Sequence, residues 1–77
     1  MIVTRDNLKR LGPILRKRRI KSGVKQYVMA GQIGYTTSNL CEFEHGKVTP
    51  KITMLLDLCD QLGLELVLRE RRNERAV

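Results

Sequence analysis

Within six positions the chain places Thr37, Ser38, Asn39 and Glu42, side chains that offer hydrogen-bonding chemistry. A hydroxyl both donates and accepts, an asparagine amide can meet adenine through two bonds, and a carboxylate can accept from the exocyclic amine of cytosine. Such groups suit the reading of base edges in a DNA groove. The patterns of bond-making chemistry are missing: there are no paired carboxylates, no Ser/His or Cys/His constellation and no phosphate-binding glycine loop. Cys41 and Cys59 form no CxxC pair, and His45 stands outside ligand spacing, so reduced free thiols are expected and a structural zinc site is not. The expectation is a binding protein without catalytic residues, metal or cofactor.

Those polar residues need a helix to present them. Gln26 to Ile33 has helix-forming interior residues, with Val28, Met29, Ala30 and Ile33 at spacings that can share a core face. Gly34 then permits the backbone to stop and turn. Thr36 or Thr37 can cap the next helix, whose Leu40 and Phe43 lie three apart on one face while Thr37, Ser38, Asn39, Cys41, Glu42 and His45 lie elsewhere. Gly46 ends it, and Thr49-Pro50 forbids immediate continuation. A helix, a short turn containing glycine and a polar second helix make up the helix-turn-helix pattern.

The rest of the chain supports that unit. Residues 1–7 read as a short polar arm, and residues 8–22 as a basic helix with Leu8, Leu11, Ile14 and Leu15 inward. Gly12-Pro13 allows two arrangements there: Gly12 caps a helix starting at Pro13, or a first turn from Asp6 to Leu11 runs into a kinked continuation. A helix core over residues 13–21 is preferred. Residues 52–62 form a further helix with Ile52, Leu55, Leu56, Leu58, Cys59 and Leu62 inward and Gly63 as its stop. Beyond Gly63 the period becomes two, with Leu64, Leu66 and Leu68 on one side and Glu65, Val67 and Arg69 on the other, which reads as a strand over residues 64–69. A lone strand cannot satisfy its backbone, so pairing with the same strand of a second copy, through Leu64, Leu66, Val67 and Leu68, predicts a homodimer. Residues 70–77 read as a charged tail.

Composition bounds the function further. In a chain of 77 residues only about 60% of the unfolded surface is buried on folding, which favours added stability from a partner and leaves no room for a catalytic cleft beside a substrate domain. Fifteen Lys and Arg against eight Asp and Glu give a formal charge of +7, suited to a polyanion such as DNA or RNA. No apolar run approaches the roughly 20 residues needed to cross a bilayer, and Met1-Ile2-Val3 is too short for a signal-peptide core, so a cytoplasmic, nucleoid-associated protein is expected. Tyr27, Tyr35 and Phe43 are too few for a base-stacking platform and read as core or core-edge groups. The run Arg16-Lys17-Arg18-Arg19-Ile20-Lys21 rings its helix, because successive residues point about 100 degrees apart. It therefore acts mainly through the long-range field.

Leu11-Gly12, Arg16 to Arg19, Gln26, Ala30, Gly34, Thr36, Glu44-His45-Gly46-Lys47, Pro50 and Leu62-Gly63 resemble the Xre/Cro family. The resemblance covers residues 8–63 and implies an all-α, five-helix, lambda-repressor-like DNA-binding domain, to which a C-terminal β-strand for dimerisation is appended. With that strand the chain is most similar to HipB-like antitoxins, implying a repressor that binds a double-stranded DNA operator, autoregulates its promoter and holds a HipA-like kinase toxin. By the same resemblance Thr37, Ser38 and Glu42 reach base edges, Thr36 and Asn39 lie nearer the backbone, and Gln26 opens the first motif helix at a phosphate. Lys25 stands where the family usually carries Thr or Ser, exchanging a helix cap for a phosphate contact, and Lys47 anchors a phosphate in the following loop. An acid such as Glu44 one turn from the groove would repel phosphate, and the resemblance implies instead a structural ion pair with Arg19. Two other classes share parts of this pattern: a phage or mobile-element repressor without a toxin, and a protein-interaction module whose basic charge is incidental.

Overall fold

The computed structural model describes residues 2–70. A 3₁₀ turn, Leu8–Arg10, leads into four α-helices: α1 Leu11–Lys21, α2 Gln26–Ile33, α3 Thr37–Glu44 and α4 Ile52–Leu62. The fold is all-helical and small. Helix α3 packs on α1 and α2, and α4 closes the other side against α2 and α1. Their common core holds Leu11 and Leu15 of α1, Met29, Ala30 and Ile33 of α2, Leu40 and Phe43 of α3, and Met54, Leu55, Leu58 and Leu62 of α4. Phe43, Met29 and Leu40 are wholly enclosed, so the polar helix is pinned by its two large apolar residues and cannot roll.

The start of α1 differs from the expected core over residues 13–21. The helix begins at Leu11, and Pro13 is its third residue. Proline is harmless there because N–H groups of a first turn have no intrahelical acceptor. Gly12 is therefore inside the helix and caps nothing. A Cβ at Gly12 would lie 1.7 Å from the carbonyl oxygen of Phe43, so the missing side chain is what lets α1 and α3 touch backbone to backbone.

The turn between α2 and α3 rests on Gly34, which adopts φ 75°, a left-handed conformation that costs glycine little. It allows the Tyr35 N–H to return to the Ala30 carbonyl at 2.9 Å. Thr36 then caps α3, its hydroxyl accepting from the Asn39 N–H at 3.1 Å. Thr36→Ala is expected to cost about 1 kcal/mol, read as a lower urea midpoint with an unchanged slope; no change would mean that water replaces the cap fully.

Several inward assignments do not survive packing. Ile14, Val28, Ile52 and Leu56 are exposed, as is Tyr27, whereas Met54 is buried. Helix α4 carries apolar residues around much of its circumference, and only the side facing the other helices finds partners. Tyr35 packs against the core edge. Asn7 ties the N-terminal segment into a turn, its side chain accepting from the Thr4 N–H and donating to the Ile2 carbonyl.

The five-helix count and the C-terminal strand also require correction. Among the described residues there are four α-helices, and residues 64–70 form no strand. The Leu64 N–H closes the end of α4 on the Cys59 carbonyl at 2.8 Å, and its side chain joins the core. Leu64 thus belongs to the helix terminus. Leu66, Val67 and Leu68 follow it exposed, since a single chain offers their backbone no ladder to join.

Candidate nucleic-acid interface

Leu40 and Phe43 point into the core, so helical geometry turns Thr37, Ser38, Asn39 and Glu42 outward, and all four are exposed. Among the described residues none of these four side chains is hydrogen-bonded to another protein group, which leaves their donors and acceptors free. A shallow groove of about 180 Å³ runs beside them, lined by Asn39 and Glu42 of α3 and by Val48, Thr49 and Lys51 of the following loop. The Lys47 N–H returns to the Glu42 carbonyl at 3.0 Å, which holds that loop against the end of α3. Lys47 and Lys51 are exposed there, and Lys25 is exposed just before α2. Lys25 occupies the cap position of α2 without a side-chain bond, so the first turn of that helix keeps its N–H groups available.

Arg19 and Glu44 meet inside the fold. Arg19 Nε donates to Glu44 Oε2 at 2.7 Å and Nη2 donates to Oε1 at 2.9 Å, a bidentate pair with residues only 7% and 2% exposed. Arg19 Nη1 donates to the Val24 carbonyl at 2.7 Å. Each of the three guanidinium nitrogens donates one bond inside the fold, and the residue is buried, so Arg19 is not part of the basic surface. Gln26 joins the same group, its Nε2 donating to Glu44 Oε1 at 2.9 Å. Sequence spacing carried no signal for that bond, because the two residues lie 18 apart and on different helices.

His45, at the end of α3, sits with Nδ1 2.8 Å from the Cys41 carbonyl, a contact that places a proton on that nitrogen. Cys41 Sγ lies 3.5 Å from the same atom. Among the described residues no three His, Cys, Asp or Glu side chains are grouped to hold a metal. Burial, with a smaller contribution from Asp60, pushes the Cys59 thiol above its ordinary range, which keeps it protonated and unreactive.

A family model described as a helix-turn-helix domain matches residues 10–73. The chain belongs to this helix-turn-helix family. Comparison with curated proteins finds no match. The matched span contains the four described α-helices, among them α2 and α3, which meet at the Gly34 turn. Membership places the chain among DNA-binding regulators. Among the described residues the domain has no helix long and apolar enough to cross a membrane.

Proposed function

We propose that this helix-turn-helix domain is a sequence-specific transcriptional repressor that binds an operator as a homodimer and acts by occupancy, without chemistry. The observation that carries this reading is the outer face of α3, where Thr37, Ser38 and Glu42 are exposed with unused hydrogen-bonding groups while Leu40 and Phe43 fix the helix from behind. These three read base edges in the major groove. Lys25, Thr36, Asn39 and Lys47, with the open first turn of α2, hold the phosphates that set the docking register. Glu42 is suited only to a base donor, since a carboxylate against phosphate is repelled.

The test is binding to the chain's own promoter and to random duplex at one salt concentration. Ser38→Ala combined with Glu42→Ala removes two exposed groups, so the fold is retained, and discrimination between the two DNAs is expected to fall by about 10- to 100-fold. Unchanged discrimination rejects α3 as the reading helix. Binding by the unaltered chain that is weak and erased by moderate salt on both DNAs would instead favour an interaction module.

Dimerisation is assigned to residues 64–69. Exposed Leu66, Val67 and Leu68 directly after the core offer an apolar surface that a second copy of the chain can cover. Leu66→Glu with Leu68→Glu is expected to give a monomer by light scattering while leaving the thermal melt of the helical fold intact, because neither side chain is in the core. A persistent dimer would move the interface onto the helices. Two copies would span half-sites about one helical turn apart.

The resemblance to HipB-like antitoxins and the exposed apolar segment together favour an autoregulating cytoplasmic antitoxin that also binds a HipA-like kinase toxin. Co-purification of a kinase encoded beside it is the expected result. Repression without such a partner would leave a phage or mobile-element repressor.

A further inference from the structure

We propose that Gln26 is a positioning residue that sets the sequence discrimination of α3 by acting through Glu44 and not through a DNA phosphate. The inference rests on the reading of α3 as the base-contacting helix. Helices α2 and α3 have eight residues each and are each about 12 Å long. They meet at the Gly34 turn, so Gln26 and Glu44 are the helical residues farthest from that vertex. The bond from Gln26 Nε2 to Glu44 Oε1, 2.9 Å, joins the two free ends. A vertex plus a link across the open side closes a triangle, which fixes the angle between the helices. The turn alone leaves that angle to loop torsions and apolar contacts, which tolerate small rotations.

The Glu44 carboxylate is an unusually firm point for such a link. Oε2 is held by Arg19 Nε and Oε1 by Arg19 Nη2, and Arg19 is itself tied to the Val24 carbonyl in the segment leading into α2. Helix α1, the α1–α2 connection, α2 and α3 therefore converge on one buried anion. Its charge strengthens the amide bond from Gln26 beyond a neutral pair. That bond uses one of the two amide N–H groups and aims the nitrogen end of the half-buried side chain at the carboxylate inside the fold. Base readout tolerates little error, since a hydrogen bond weakens steeply with distance and angle, and a tilt of α3 moves Thr37, Ser38 and Glu42 together. Phosphate contacts by lysines on flexible stems absorb the same tilt.

This reasoning separates two kinds of loss. A phosphate contact removed at Gln26 weakens promoter and random DNA alike. A lost strut weakens only the DNA whose bases are read. The experiment uses the full chain with Gln26→Leu, similar in size but without the amide, measured by fluorescence anisotropy on promoter and scrambled duplexes at equal salt and well below the melting midpoint. Promoter affinity is expected to fall about tenfold, with affinity for scrambled DNA unchanged. Gln26→Lys, which again offers Glu44 a donor, is expected to restore the promoter-to-scrambled ratio. Equal losses on both duplexes, or no loss, overturn the inference while the unaltered chain still discriminates. An unaltered chain that does not discriminate overturns the reading of α3, and this inference with it.

Discussion

A chain carrying Glu44→Ala is expected to lose about 3–5 kcal/mol of stability, the cost of leaving a buried charge without its partner. The loss has a definite origin. Arg19 remains 7% exposed with Nε and Nη2 pointing at an empty place, and Gln26 loses the acceptor for its amide. A domain of 77 residues has about 4–12 kcal/mol in total at the usual 0.05–0.15 per residue, so a large share of the molecules would be unfolded at room temperature if the true value lies near the lower bound. Urea denaturation followed by circular dichroism checks the figure, and a midpoint shift worth under about 1 kcal/mol would show that water replaces the carboxylate and that the pair is energetically slack. Removing both charges is a different experiment. Arg19→Met with Glu44→Leu leaves no orphaned ion and is expected to recover much of the stability, while giving up the Gln26–Glu44 bond between α2 and α3. Stability and operator discrimination should therefore part company in that double variant.

Gly12→Ala is expected to be comparably damaging although it adds one methyl group. Overpacking a core with a methylene typically costs about 1–3 kcal/mol, because neighbouring side chains can rotate. At Gly12 the obstacle is backbone: the new Cβ would meet the Phe43 carbonyl oxygen at 1.7 Å and its carbon at 2.8 Å. No rotamer relieves that, so α1 and α3 must separate. Separation opens the core around Phe43 and Leu40 and stretches the Arg19–Glu44 contact across the same interface. A loss above about 3 kcal/mol is therefore expected, with thermal melting as the readout. The ordinary preference of helices for alanine over glycine, about 1 kcal/mol, works in the opposite direction. A Gly12→Ala chain as stable as the original would show that the helices can part without loss, and would remove the reason given for a glycine inside α1.

These two sites mark the boundary between what local pattern can and cannot carry. The α2–turn–α3 unit was legible because each of its parts is a local effect: glycine at a left-handed turn, threonine at a cap, and apolar residues three apart on an otherwise polar helix. The outward face of α3 followed from the same periodicity. Periodicity gave no warning about Ile14, Ile52 and Leu56, which fit an apolar stripe yet face solvent. A stripe states which residues can be buried, and only a neighbouring helix decides which are. The alternation at 64–69 misled similarly for a single chain, since a strand exists by virtue of a partner and Leu64 was already engaged at the end of α4.

From the sequence alone came the helix-turn-helix unit, the polar surface of its second helix and the excess of positive charge. Each depends on residue type and near spacing, which are complete in one dimension. The tertiary structure alone decided that Gly12 is a contact point between α1 and α3, that Pro13 lies within the helix, and that Gln26 reaches the Arg19–Glu44 pair. Those facts depend on which backbones approach within a few ångströms across long sequence separations. The outward positions of α3 were written in its own periodicity; the bonds that tie its far end to Arg19 of α1 and Gln26 of α2 were not.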